Sequence, residues 1–291
     1  MLDTIISMFL LTGPSAPYSG TNYDKVVATL QQIAQQNPAH AKIISIGVND
    51  QGVPIQALQI GNGEISSLVV GTHHGNEYGS TAVALAMGDN LAKDPITGQT
   101  VYVIPVLNIS GYNKFSRHES GIGGSRDPNR DYTGPCKEGS SFNLKSTKSL
   151  ADFLEFKNIQ ITATLHTYWP AVVYPWGISS RDLATPHDAQ YIQLANDATK
   201  ESKYQVGNST QVLYAADGTF EDYAYWRHGI WSLLFELGFS HRPDLTAIKN
   251  MVDVNIPGIR RYLENAPKQR VLDHAFNGRC DKNVLQRILL E

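Results

Sequence analysis

The stretch Ser66–Tyr78, SSLVVGTHHGNEY, constrains this 291-residue chain more than any other. Residues 67–71 suit a buried strand. They run into a polar turn that carries His74 and, three residues later, Glu77. Beyond it STAVALAMGDNLAK has a helical apolar rhythm at Val83, Leu85, Ala86 and Leu91. A histidine and a carboxylate are thus expected at the C-terminal end of a strand, where open α/β sheets bind their ligands. At i and i+3 both can reach one Zn²⁺, with bonds of about 2.0–2.2 Å. The pair by itself also fits an ordinary helix start, where Glu is favoured. Chemistry therefore depends on what the rest of the chain supplies.

Elsewhere strand and helix patterns alternate. An amphipathic helix is expected over residues 21–37, closed by Pro38. A hairpin follows, with strands at 43–47 and 53–60 around the turn Asn49-Asp50-Gln51-Gly52. Further strands are expected at 100–107, 159–165 and 230–237, and helices at 147–157, 186–201, 244–265 and 281–290. The pattern predicts an α/β fold: a mixed, mostly parallel twisted sheet with helices on both faces. No internal repeat or linker interrupts it. One catalytic domain over residues 21–291 is expected, preceded by an N-terminal arm or strand at 1–20. That arm lacks the positive n-region of a secretory signal, which leaves a trimmed signal remnant as the alternative. Residues 108–145 are rich in Gly, Asn, Ser, Arg and Pro, with no apolar period. A loop of that length inside a compact domain is usually functional or disordered.

Two of the expected strands deliver titratable side chains. His166 follows the strand at 159–165, and Glu236 lies in the apolar string SLLFELGF. A third ligand at His166 gives three protein ligands and one open position, the pattern of catalytic zinc. A carboxylate in an apolar strand calls for an ionic partner or a task. General base toward a water, then acid toward a leaving amine, is such a task. His73 is not expected to join His74 as a ligand, because adjacent residues at a strand end point to opposite sides. His118 has no partner at ligand spacing. A net charge of −3, with lysine and arginine scattered, gives no reason to expect nucleic acid or an acidic membrane surface. No stretch approaches the roughly 18 apolar residues of a membrane span. Cys136 and Cys280 could pair, but sequence does not decide it.

The ordered set His74-x-x-Glu77, His166 and Glu236, with DPNRDYTGP, LNISGY, LHTY…YPWG and LLFEL, resembles the zinc carboxypeptidases of the carboxypeptidase A/B type. The resemblance covers nearly all of residues 20–265. It implies one Zn²⁺ per chain on His74, Glu77 and His166, with Glu236 as base and acid. It further implies that Asn129 and Arg130 grip the free C-terminal carboxylate of a peptide substrate. A guanidinium fork suits that task better than an ammonium. Arg117 falls near the arginine that polarises the scissile carbonyl, and Tyr214 on a mobile tyrosine that closes over the end residue. Seven positions beyond Tyr214, and one before Asp222, the register reaches Glu221 at the floor of the side-chain pocket. An acidic floor implies lysine, arginine or a diamino-acid amine as end group. A slip of one would put Phe220 there and favour apolar or small ones.

Two departures from the family pattern keep a rival open. Asn76 stands where an arginine often precedes the glutamate, and the string HGNE is similar to related zinc acylases. The rival is a zinc amidase or acylase acting on cell-wall peptides or small N-acyl amino acids. A catalytically dead peptide-binding module is the reading from another class, but such relatives lose a ligand or the base and none is missing here. The resemblance also implies an extracytoplasmic location, and the oligomeric state is left open.

Overall fold

Eight strands in the order β1-β2-β4-β3-β7-β10-β8-β9 form the sheet on which every other element rests. They are β1 (Ala41–Val48), β2 (Pro54–Gly61), β3 (Ile65–Gly71), β4 (Gln99–Ile104), β7 (Ile159–His166), β8 (Ala171–Tyr174), β9 (Gln205–Asn208) and β10 (Trp231–Glu236). A separate two-stranded ribbon pairs β5 (Glu119–Gly121) with β6 (Gly124–Arg126). The computed structural model describes residues 21–137, 139–181 and 183–281. The arm expected at 1–20 and the helix expected at 281–290 lie outside those residues, except for Asp281.

The central strands β4, β3, β7 and β10 run parallel. Helices cover both faces, so these strands are apolar and buried almost without alternation. The edge strand β1 shows the opposite character, with exposed and half-buried residues interleaved. Helix α1 (Asn22–Gln36) opens with a capping box: Asp24 N–H donates to Thr21 Oγ1, and Thr21 N–H to the Asp24 carboxylate. Helix α2 (Tyr78–Lys93) is buried on nearly every side, between the sheet and the long C-terminal helix α8 (Leu245–Asn265). Helix α8 also crosses α5 (Asp188–Ala198), where a Cβ on Gly258 would lie 1.9 Å from the carbonyl oxygen of Ala198. Only glycine permits that approach.

Among the described residues the expected strand and helix centres are found, with ends shifted by at most three residues. Eight short elements among the described residues fall where no periodicity pointed to them. Within 108–145 lie the short helix α3 (Ile109–Lys114), the ribbon β5–β6 and a 3₁₀ turn at Pro128–Arg130. Asp131 explains why this excursion is ordered. Its Oδ1 accepts from the N–H and Nδ2 of Asn143, and its Oδ2 from Leu144 N–H and Thr147 Oγ1. That carboxylate caps α4 (Lys145–Phe156) from outside the helix, so α4 starts two residues before the expected position. Strands β8 and β9 were hidden in turn-like sequence. Helix α7 (Phe220–His228) lacks an apolar stripe because Phe220–Tyr225 are all buried, acids included. The four-residue helix α6 (Ser209–Val212) precedes it.

Beyond α8 the chain continues as a strap. Trp231 Nε1 donates to Gln269 O and Val271 N–H to Gly229 O, and Phe276 packs on Trp176. The strap reaches Cys280, which forms a disulfide with Cys136, 144 residues earlier. Closing so long a loop restricts the unfolded chain by an amount on the order of 5 kcal/mol in the chain-entropy picture. Among the described residues no helix is long and apolar enough to cross a membrane.

Candidate metal centre and substrate groove

The strand order brings the C-terminal ends of β3, β7 and β10 side by side, and each end carries one of the singled-out residues. Glu236 pairs in register with His166, and Gly71 with Leu165. After Gly71 the chain turns sharply: Thr72 has φ 60°, which is strained for a β-branched residue. Its hydroxyl holds the turn through contacts with Thr81 Oγ1 at 2.7 Å and Pro105 O at 3.0 Å. Gly75 is needed next, since a Cβ there would lie 2.1 Å from the backbone of Gly111. Gly75 N–H donates to Arg117 O, which ties the turn to the loop after α3. The turn delivers His74 and places Glu77 at the start of α2.

His74, Glu77 and His166 converge and are all buried. His74 Nδ1 lies 2.7 Å from Glu77 Oε1, His166 Nδ1 3.1 Å from Glu77 Oε2, and the two Nδ1 atoms are 3.3 Å apart. Tetrahedral ligands with bonds of about 2.05 Å stand roughly 3.3 Å apart, so two imidazoles and a carboxylate at this spacing fit one Zn²⁺. Glu77 Oε2 has only that close contact with His166 Nδ1 and no well-formed hydrogen bond, and a cation shared by the three side chains would satisfy it.

His74 Nε2 contacts Asp127 Oδ1 at 3.0 Å, which orients the ring and leaves Nδ1 to face Glu77. Burial would depress the His74 pKa, but the charge of Glu77 and the hydrogen bond to Asp127 lift it to about 9. Glu77 is itself buried, yet the two facing histidines hold its carboxyl far below the usual range. His73 turns the other way. It meets Tyr132 Oη at 3.0 Å and stacks on His166, and burial beside two histidines holds its pKa well below the ordinary value. It therefore stands apart from the ligand cluster, as the alternation at a strand end requires.

Around this cluster stand the other predicted residues. Glu236 Oε2 is enclosed and has no hydrogen bond. Burial, then the charge of Glu77 and more weakly that of Glu221, push its pKa well above the carboxylate range, against the pull of His74 and Arg117. Arg117 donates from Nε and Nη2 to Asp127 Oδ2 at 2.9 and 2.8 Å. Asp127 thus bridges Arg117 and His74. This bridging carboxylate was not singled out from sequence, although it opens the DPNRDY motif, where Asp-Pro is a turn signal. It also caps the 3₁₀ turn by accepting from Asn129 N–H.

Asn129 is buried, and its Oδ1 accepts from Phe220 N–H at 2.8 Å. Arg130 Nη2 donates to Tyr214 Oη at 3.1 Å, with the guanidinium 5.7 Å from that ring. Tyr214 is 57% exposed, free of the packing that would make it an ordinary core aromatic. The two pocket-floor alternatives separate by environment. Phe220 is fully buried against His73 and Tyr132. Glu221 is 2% exposed with Oε2 unpartnered. Asp222 points elsewhere, accepting from Gly177 N–H.

Comparison with known proteins agrees with this geometry. The profile of the zinc carboxypeptidase family matches residues 26–256. Carboxypeptidase B of Astacus astacus is 26% identical over 253 residues, 72% of this chain and 82% of the crayfish protein. Carboxypeptidase B of Homo sapiens is 28% identical over 270 residues, and the match spans 64% of the human protein. The solved carboxypeptidase A from Helicoverpa armigera superposes with a TM-score of 0.77 at 18% identity, covering 92% of this chain and 80% of that one. With a profile matched over most of its length and a buried donor set that fits zinc, the chain belongs to the zinc carboxypeptidase family, whose members are metal-dependent peptide hydrolases.

Proposed function

We propose that this chain removes the last residue from peptides with a free C-terminus, with one Zn²⁺ on His74, Glu77 and His166. The observation that carries the reading is the buried cluster of those three residues with the unpartnered Glu236 one strand away. Zinc in that position supplies Lewis acidity toward a water and a carbonyl oxygen. Glu236 Oε2 takes the proton from the attacking water and hands it to the departing amine. Arg117 offers a guanidinium on the same side as Asp127 for the charge that develops on the carbonyl oxygen. Arg130 and Asn129 hold the substrate carboxylate, and the exposed Tyr214 stands over that place.

Glu221 supports a cationic end group: lysine, arginine or the side-chain amine of a diamino acid. A buried carboxylate with an unpartnered oxygen is costly until a cation meets it. The Cys136–Cys280 disulfide supports an oxidising, extracytoplasmic compartment. The rival, a zinc amidase or acylase, rests on Asn76 and on the HGNE turn. Matched peptides ending in Lys, Arg, Leu and Phe, as free acids and as amides, decide between them. The expected result is strong preference for free acids and for Lys or Arg, with the basic preference lost in Glu221→Gln. Equal cleavage of amidated peptides overturns the exopeptidase reading and favours the amidase. Preference for Leu or Phe that Glu221→Gln leaves unchanged removes Glu221 from the pocket.

A further inference from the structure

The strap behind α8 ends on residues 179–180 and at Cys136, six residues beyond Arg130. Ser179 Oγ donates to Arg279 O at 2.8 Å, and Ser180 donates from N–H and Oγ to the Asp281 carboxylate at 2.7 Å each. Between these contacts Cys280 is bonded to Cys136. The residue after Cys136 is Lys137, and its place is unusual for a lysine. It is half-buried, and its Nζ donates to the main-chain carbonyls of Arg130 at 2.5 Å and Tyr132 at 2.8 Å. An ammonium spent on two carbonyls stitches backbone together instead of decorating a surface.

The same lysine touches a second segment. A Cβ on Gly218 would lie 3.0 Å from Lys137 Cδ and 3.0 Å from Arg130 O. Tyr132 N–H donates to Gly218 O at 3.2 Å, and a Cβ on Gly134 would strike Asp217 Oδ1. Gly218 lies four residues beyond Tyr214. Ala216 N–H donates in turn to Gly177 O, close to the stretch where the strap lands. Lys137 therefore sits where the segment presenting Arg130 meets the segment presenting Tyr214, and a covalent bond anchors the residue before it.

We propose that Lys137, anchored through the Cys136–Cys280 bridge, is a positioning residue for the substrate carboxylate: it fixes the backbone of Arg130 against the 214–219 segment. This rests on the carboxypeptidase reading above. The lysine never meets substrate, so its loss acts on binding more than on turnover.

The test compares wild type, Lys137→Met, Lys137→Arg and the double variant Cys136→Ser/Cys280→Ser, all loaded with zinc. KM for free-acid peptides is expected to rise about tenfold in Lys137→Met and in the double variant, with kcat changed less than about threefold. Lys137→Arg, which keeps a cationic donor, recovers most of the loss. Hydrogen exchange is read on the same proteins without substrate. Faster exchange is expected together at 130–137 and 213–219, in Lys137→Met as in the double variant. A lower melting temperature with KM and exchange at those segments unchanged overturns the proposal and leaves the bridge a plain staple. Should the double variant fail to fold, Lys137→Met, with its disulfide intact, decides alone. Should wild type show no preference for free acids, the carboxypeptidase reading fails instead. Exchange at the two segments then still upholds or overturns the coupling.

Discussion

Glu236 and His166 stand opposite each other in the parallel register of β10 and β7, and Leu237 N–H donates to His166 O at 2.9 Å. The proposed base and a proposed metal ligand are thus neighbours on one sheet ladder. Their separation is set by main-chain hydrogen bonds in the middle of the core, not by loops that could drift. A site built this way tolerates side-chain changes at its rim without losing its centre.

Glu236→Gln keeps the shape of the side chain and removes the proton acceptor. Zinc content should stay at one per chain, while kcat falls by about 10²–10⁴, the usual scale for a general acid–base group. Rapid-quench rates on a metal-analysed sample check this. Near-normal turnover would make Glu236 structural.

His166→Ala should lose both metal and turnover, whereas wild type should hold one zinc. The affinity should also depend on pH in a definite direction. His74 carries a proton in the metal-free site up to a pKa of about 9, and that proton must leave before the ring can ligate. Zinc binding should therefore weaken as pH falls below 9, by roughly tenfold per unit, with proton release on binding. Competition against a chelator between about pH 6 and 8 measures it. An affinity that does not change with pH would contradict the assignment of His74.

Arg130→Ala removes a charge-assisted fork, so preference for free-acid over amidated peptides should largely disappear. Tyr214→Phe keeps the ring but loses the hydroxyl that meets Arg130, and should change that preference far less. Discrimination ratios for the two variants, measured on one peptide pair, settle the order. Equal effects would mean that the pair acts as a unit.

Glu119 gives a prediction about stability rather than catalysis. It is fully buried, accepts from Ser146 Oγ at 2.5 Å and leaves Oε1 unpartnered. Burial pushes its pKa from 4.5 up to about 8, so the folded chain keeps a proton that the unfolded chain gives up in between. Stability should then fall as pH rises from about 4.5 to 8, by an amount on the order of a few kcal/mol. Glu119→Gln should match wild type near the low end of that window and exceed it at the high end. Melting temperatures of the pair across the window test the sign. A difference independent of pH would show that Glu119 stays charged in the fold.

The part of the site carried by strands could be read from the chain because a buried strand announces itself locally. Apolar runs at 67–71, 159–165 and 230–237 told where His74, His166 and Glu236 would emerge. Other features depend on contacts between residues far apart in sequence. The start of α4 is set by Asp131, thirteen residues before Leu144, and no local capping signal marks it. Helix α7 has no apolar stripe because its acids are buried as well. Asp127 looks like any turn residue until His74 and Arg117 are seen to meet on it. The pairing of Cys136 with Cys280 likewise required the strap to be placed.

Asp127 has a consequence for how this site can change. One carboxylate serves two clients, the ring of His74 through Oδ1 and the guanidinium of Arg117 through Oδ2. Neither client can be altered in isolation, because freeing one oxygen re-aims the other. Substitutions at Arg117 and Asp127 should therefore combine with less than additive cost. In evolutionary terms the dependence is one-sided: a lineage that abandons Arg117 still needs Asp127 for the ring of His74.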